Sequence, residues 1–407
     1  MTDTDDARIG ARIAAHRKMA GYTQRGMAER AHLSLGCVRK VERGERLPTA
    51  GVLTAVARAL RTTVEDLSGQ PYRHEPRDDR AHAPITAVRA ALRHWDLPAD
   101  WFTPPRPLPA LRADLRTASA HRLAGRLTQL GTVLAGLLEE LTAAVHLRET
   151  EPERAQAARL LALAYDLTHT LTYRLGYPDL RGQAEDRLRW AAGLSGDPLL
   201  RALADYKRVE AFKSAHEYDA GLRALAVARE QLVASAPAPD DPAFLTVLGG
   251  MRLREVTIAA RMYDPDATAH HLDEARRLLR RLPPGEDRRH HSLVFGTGNL
   301  AIHELQARLE LQHMPEAEHL IRTTRLPGGL PPTRVSAWHV NAARAHLAAD
   351  KRERALRALL QARRAAPQTT RFKPMARDAA LLLTMKYRRT TEEVRALTSW
   401  FGLEPPA

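Results

Sequence analysis

Leucine and alanine recur at three- and four-residue spacing along nearly the whole chain, and alternation of β-branched residues is almost absent. That pattern predicts an all-α protein. Ile9, Ile13 and Ala14 share one face of a predicted helix over Ile9–Met19. Gly21 stops it at a position where a left-handed backbone suits glycine. Thr23 caps a second helix, Gln24–Ala31, which turns Met27, Ala28 and Ala31 inward. Ser34 caps a third, Leu35–Glu42, with Val38 and Val41 inward, and Gly44 ends it. Pro48 and Thr49 launch Gly51–Leu60, with Val52, Leu53, Val56 and Leu60 inward. Thr63 caps a last short helix ending at Leu67.

The pattern changes after Ser68. Residues 69–84 read GQPYRHEPRDDRAHAP, with three prolines, many charges and little apolar content, which is the composition of a linker. Three segments follow: a domain over 1–68, a linker over 69–84 and a helical domain over 85–407. The last opens on the Pro-rich stretch LPADWFTPPRPLPALR and then predicts one long helix around Ala110–His146. Beyond it lie paired helices. Their punctuation falls at Pro152, Tyr177-Pro178, Gly196-Asp197-Pro198, Pro237–Pro242, Asp264-Pro265, Pro283-Pro284, Met314-Pro315, Pro327–Pro332, Pro367 and Pro374. Each unit spans roughly 35–45 residues, the size of a helical-pair repeat. The clearest runs from Trp338 to Pro367, with Ala343, Ala355 and Ala362 where two helices must approach closely. Asp219–Leu232 and Pro315–Thr324 read as second helices of similar units.

Charge adds a partner class. The chain carries 62 Lys+Arg against 48 Asp+Glu, a formal net charge of +14, which favours nucleic acid or an anionic surface. Only 7 of the 62 are Lys. Arg, Ala, Gly and Pro share GC-rich codons, so codon bias accounts for part of the excess outside the first domain. The single cysteine, Cys37, forms no intrachain disulfide and fits a reducing compartment. Inside its helix it reads as a small half-buried filler rather than a redox switch. The start, MTDTDDARIG, is polar and acidic, unlike a signal segment. Leu127–Val145 is the richest apolar stretch, but Gln129, Glu139 and Glu140 interrupt it, so it reads as a buried helix rather than a membrane span. A cytoplasmic protein with no membrane contact is expected. No nucleophile elbow, Walker loop or GxGxxG pattern occurs, so no enzyme activity and no cofactor are expected. The adjacent pairs His270-His271 and His290-His291 would diverge on a helix, and no HExxH or Cys/His cluster occurs, so no metal site is expected.

The first domain carries the candidate chemistry. Residues 23–44 read TQRGMAERAHLSLGCVRKVERG: helix, tight turn, helix, closing Glu-Arg-Gly. That is the layout of a helix-turn-helix. With Thr23-Gln24, Ala28-Glu29, Leu33-Ser34, Val38, Val41-Glu42-Arg43-Gly44 and Pro48, the stretch Arg8–Leu67 resembles the lambda-repressor-like, xenobiotic-response-element (XRE) family of bacterial regulators. The resemblance implies double-stranded DNA as partner. It places Gln24 and Arg25 at phosphates or base edges. It sets Ser34, Leu35 and Gly36 at the start of the recognition helix, Arg39 and Lys40 at deeper bases or phosphates, and Arg43 and Arg46 near the flanking backbone. Leu35 and Gly36 depart from the longer polar side chains common in the family. Specificity then leans on Arg39, Gln24 and DNA shape. Gly26 costs its helix about 1 kcal/mol relative to Ala, so that helix depends on packing. Ala28 permits a tight helix crossing, and Glu42 can lock the fold by pairing with Arg30 or a neighbouring Arg.

The helical body, from about Glu153 to Leu403, resembles the C-terminal half of actinobacterial XRE regulators with tetratricopeptide-like repeats, an α-solenoid. The carrying segments are Tyr173-Arg174-Leu175-Gly176, Asp186-Arg187, Ser195-Gly196-Asp197-Pro198, Phe295-Gly296-Thr297-Gly298-Asn299 and Leu397–Leu403. In such a body, polar groups on apolar helices are candidate ligand contacts. Asn299 and His303 are four apart on one face, and Asn299 can grip a peptide backbone through both donor and acceptor. Arg254, Arg334, Trp338 and Asn341 can flank them. The reading is a homodimeric transcription regulator that binds an inverted-repeat operator and senses a peptide or small molecule. The alternative is a protein-interaction scaffold that the DNA reader merely tethers.

Overall fold

The computed structural model describes residues 8–72, 80–98, 102–235, 238–285, 287–386 and 391–403. The head comprises α1 (Ile9–Met19), α2 (Gln24–Ala31), α3 (Leu35–Glu42), α4 (Ala50–Leu60) and α5 (Val64–Ser68). Side-chain oxygens of Thr23, Ser34, Thr49 and Thr63 accept from the amides of Gly26, Cys37, Val52 and Asp66, so each of α2–α5 begins on a capped turn. Gly21 takes φ +71° after α1, and Tyr22 N donates back to Arg17 O at 3.0 Å, closing the helix end. The predicted inward residues Met27, Ala28, Ala31, Val38, Val41, Val52, Leu53 and Val56 share one buried cluster with Ile9, Ile13 and Leu67. Leu60 packs on its edge.

The body starts with α6 (Ile85–Arg93), a helix the Pro-rich reading missed; its Ile85, Val88, Ala91 and Leu92 are buried. The single long helix expected over 110–146 is two, α7 (Leu108–Ala124) and α8 (Leu127–Leu147). Gly125 separates them at φ +72°, and a Cβ there would lie 2.7 Å from Thr369 Oγ1. The apolar periodicity runs across the break because both helices bury their Leu/Ala faces in the same core. By length and composition alone α8 is apolar enough to cross a membrane, a test that a buried core helix also passes. Here it packs in the largest apolar cluster.

Six helix hairpins follow: α9 (Glu151–Leu175) with α10 (Pro178–Ser195), α11 (Pro198–Ser214) with α12 (Tyr218–Ala234), α13 (Pro242–Arg261) with α14 (Pro265–Arg281), α15 (Thr297–Glu310) with α16 (Met314–Thr323), α17 (Pro332–Ala348) with α18 (Arg352–Ala365), and, after the short α19 (Pro367–Arg371), α20 (Pro374–Lys386) with α21 (Glu392–Trp400). Proline opens many of these helices, where its missing N–H costs nothing. The first helices of successive pairs touch in order, α9 to α11, α13, α15, α17 and α20. Ala343, Ala355 and Ala362 are fully buried where α17 meets α18. The stack also bends back on itself: α17 contacts α7. At that closure Gln368 accepts from Thr128 N at 3.1 Å and donates to Thr128 Oγ1 at 3.0 Å.

Among the described residues one element departs from the all-α expectation. Strands β1 (Arg288–His290) and β2 (Leu293–Phe295) form an antiparallel ribbon with Arg289 opposite Val294. The Phe295 ring lies 2.4 Å from where a Cβ on Gly249 would stand, so glycine lets the ribbon lie flush on α13. His290 and His291 therefore sit at a β-turn, not on a helix. Their rings are 3.9 Å apart, and those of His270 and His271 5.3 Å, so neither pair diverges. Among the described residues no group of three His, Cys, Asp or Glu side chains is placed to hold a metal.

Both ends of the 69–84 segment pack against the body. Tyr72 and His82 are buried, and Gln70 donates its amide to Arg174 O and Phe372 O at 3.3 and 3.4 Å. The middle of that segment, 73–79, lies outside the described residues.

Candidate nucleic-acid interface

Glu42, at the end of α3, holds the geometry of the reading head. Its carboxylate accepts from Arg17 of α1 at 2.7 and 3.0 Å and from the Gln24 amide of α2 at 2.8 Å. Arg17 also donates to Tyr22 O at 2.7 Å. The sequence suggested Arg30 or a neighbouring Arg as partner. The structure selects Arg17, thirteen positions before Arg30, while Arg30 lies over the Tyr22 ring at 4.5 Å. Both charges of the pair are largely out of water, with side-chain exposures of 11% and 5%, so the interaction is strongly felt if one partner is lost. α1 and α3 meet backbone to backbone at Gly10, where a Cβ would lie 2.1 Å from Val41 O. Nothing in the sequence pattern had marked Gly10.

This frame presents one side of α3 to water. Gly36, Arg39, Lys40 and Arg43 are exposed and spaced three, four and seven positions apart, opposite the buried Val38 and Val41. Ser34 and Arg25 are exposed beside them, and Leu35 is half-buried. Arg25 pairs with Glu29 at 3.1 Å and Arg43 with Glu45 at 2.9 Å. Both pairs are solvated, so a phosphate can displace the carboxylates at little cost. Gln24 is half-buried, and its amide nitrogen is committed to Glu42. Arg46 differs from the others. It is half-buried and donates to Gln312 of the body, so in this arrangement it fastens the head rather than flanking the DNA edge. Cys37 is half-buried against the head core, and burial raises its thiol pKa, partly opposed by Arg46. A raised thiol disfavours the reactive thiolate.

The opposite side of the head is docked on the body by buried polar contacts. Glu310, at the end of α15, accepts from Ala50 N and Gly51 N at 3.2 and 3.1 Å. A body carboxylate thus satisfies the free amides at the start of α4. Arg261 stands 3.9 Å from the same carboxylate. Arg344 donates to Pro48 O at 3.0 Å, Arg181 pairs with Glu65 at 3.0 Å, and Thr54 shares a 2.6 Å hydrogen bond with Tyr218. Burial pushes Asp378 of α20 up to about 6 although the Ile9 amide at the start of α1 holds it down. None of the body-side docking residues was singled out from sequence, because each contact joins residues distant along the chain.

The six body residues proposed as ligand contacts do not converge on one open site. Asn299 is buried, and its amide donates to Val294 O at 2.7 Å while its backbone N donates to Asp287 at 2.6 Å. The peptide-gripping donor is therefore spent on the β-ribbon. His303 meets Thr257 at 3.2 Å, and burial pushes it down to about 3. Arg254 donates to Glu210 at 2.6 Å and lies over the Tyr206 ring at 4.2 Å. Trp338 and Asn341 are buried within the stack. Arg334 lines a small cavity with Arg122 and Arg174.

A family model described as a helix-turn-helix domain matches residues 8–68. Over 59 residues the chain is 39% identical to the uncharacterized HTH-type transcriptional regulator YazB of Bacillus subtilis (strain 168), a match that spans 14% of this chain and 86% of that protein. No solved structure matches the chain. The matched segment coincides with the capped head and its exposed α3 edge, and through it this protein belongs to the helix-turn-helix transcriptional regulators.

Proposed function

We propose that this regulator reads a specific operator through α3 and that the helical body, a tetratricopeptide-like stack, governs how the head is presented. The supporting observation is the two-sidedness of the head. Gly36, Arg39, Lys40 and Arg43 face water, while α4 and Pro48 on the other side are held by Glu310 and Arg344 of the body. The exposed cations suit phosphate and guanine contacts in a major groove. The docked side gives any change in the body a direct mechanical path to the reading edge.

The body also offers room for a signal. A cleft of about 580 Å³ between α7 and α9 is lined by Leu115, Leu160, Leu163 and Leu167 with Arg112 and Arg159. That is the size and mixed lining of a small-molecule or peptide site. In this reading the protein works in the cytoplasm as a homodimer, its two heads meeting half-sites about one helical turn, or a multiple, apart. Its role is binding rather than catalysis.

The test is selection of bound fragments from the host genome by the purified full chain near physiological salt. A recurrent inverted repeat supports a dimeric, sequence-specific regulator. Unsorted DNA, with binding that collapses as salt rises, would sink the reading and favour a scaffold held to DNA by charge alone.

A further inference from the structure

Buried charge in the body is mostly matched. Lys207 pairs with Asp166 at 2.8 Å, Lys213 and Arg254 with Glu210 at 2.7 and 2.6 Å, and Arg181 with Glu65 at 3.0 Å. One cluster breaks the rule. Where the stack closes on itself, Arg122 of α7, Arg174 of α9 and Arg334 of α17 line a common cavity with Thr170, Thr333 and Thr369. Among the described residues no carboxylate lines it. Arg122 is 9% exposed, and its Nε and Nη2 are buried without an acceptor. Asp166 eases Arg122 electrostatically, but its carboxylate is already bound by Lys207 and by Ser292 Oγ at 2.9 Å. Burial pulls Arg334 down to about 10, opposed by Tyr206 and reinforced by Arg122, Arg174 and Arg254. Lys373 beside the cluster falls to about 7 through burial and the charges of Arg174, Arg344 and Arg334. An unpaired buried cation such as Arg122 is costly.

We propose that this closure pocket binds the phosphoryl group of a small ligand. Three guanidiniums from three helices surround the space, which suits a tetrahedral dianion better than a flat carboxylate that one guanidinium fork satisfies. The cavity holds about 40 Å³, against roughly 10–15 Å³ for one water, which is room for a few oxygen atoms. The threonine hydroxyls supply further donors. The larger cleft continues along the same two helices: Leu115 and Ser119 precede Arg122 on α7, and Leu163 and Leu167 precede Thr170 and Arg174 on α9. The rest of the ligand has its place there. An anion in the pocket ties α7 and α9 to α17 across the closure. Arg174 also accepts Gln70, the residue just beyond α5, through its carbonyl, so the site adjoins the head junction. The proposal deepens the sensing reading and rests on it for its regulatory meaning.

The test is thermal unfolding of the full chain with inorganic phosphate against chloride at equal ionic strength. Phosphate at about 10 mM is expected to raise the midpoint by about 2 °C or more. Arg122→Met and Arg334→Met are expected to lose that shift while unfolding no earlier than wild type without phosphate, because each relieves the crowding of like charge around Arg122, whose buried nitrogens lack an acceptor. A phosphomonoester such as phenyl phosphate is expected to act at lower concentration than phosphate if the ligand body occupies the cleft; equal potency would assign the pocket to free phosphate. No phosphate-specific shift, or the same shift in both variants, would overturn the site. Operator affinity measured with and without phosphate separates the two readings. A thermal shift with unchanged DNA affinity keeps the anion site and removes its sensing role.

Discussion

Among the described residues two groups of cations without carboxylate partners stand in surroundings that give them opposite meanings. Arg39 and Lys40 on α3 stand in water, where an unpaired charge costs little and remains available to a polyanion. Arg122, Arg174 and Arg334 stand together where the helical stack closes, and there the lack of a partner is expensive for Arg122, whose nitrogens are buried without an acceptor. The surface set needs no ligand in order to be stable and gains one when DNA arrives. The interior set is costly until an anion enters. Between them lie the docking contacts of Glu310, Arg344 and Arg181, where the body spends paired charge on holding the head.

The largest effect is expected from creating another unpaired interior cation. Glu42→Ala strands Arg17, which is only 11% exposed, and is expected to destabilise the head by about 3–5 kcal/mol. Urea unfolding followed by circular dichroism measures it. A loss under about 1 kcal/mol would mean that Arg17 reaches water readily and that the frame does not depend on Glu42.

A smaller effect is expected at the head junction. Glu310→Ala leaves the Ala50 and Gly51 amides without their acceptor and Arg261 without its nearby carboxylate, a cost of about 1–3 kcal/mol. Amide exchange should quicken at the start of α4. Unaltered protection there would show that the head does not rest on this contact in solution.

A third effect is a slope with pH, spread over several pH units. The Lys373 ammonium is held to about 7 in the folded protein, below the ordinary value of about 10.4. Between those values the unfolded chain binds the extra proton, so phosphate-free stability should rise as pH rises from about 7 toward 10 and level off below about 7, where both states carry the proton. Lys373→Met should flatten that slope, and melting temperatures across the range measure it. An equal slope in the variant would place its source elsewhere.

The head was legible in the sequence because its determinants are local. Thr23, Ser34, Thr49 and Thr63 each cap the helix that follows, and Val38 and Val41 declare the inner face of α3 within eight residues. The helix hairpins were legible for a similar reason, since Pro178, Pro198, Pro242 and Pro265 each open a helix. What escaped was every feature made by residues distant in the chain. Gly125 looked like one more small residue in a long helix, and only its approach to Thr369 shows why the chain turns there. Asn299 carried a plausible signal for a ligand contact, but its amide is drawn to Val294 by a β-ribbon too short to leave a sequence pattern. Glu42 was recognised as a lock without its true key, because Arg17 and Arg30 are both reachable on paper and only the crossing of α1 with α3 decides between them. Of the arginines around the closure pocket, Arg334 was picked out from sequence. Arg122 and Arg174 acquire meaning only when α7, α9 and α17 are brought together.

The most direct measurement is the affinity of wild type and Arg39→Ala for a selected operator fragment, at two salt concentrations. Arg39 is exposed and unpaired, so its removal should leave folding stability within about 0.5 kcal/mol of wild type. Specific binding is expected to weaken by about 1–3 kcal/mol, with a smaller change for unrelated DNA. Equal operator affinity in the two proteins would contradict the assignment of α3 as the reading edge.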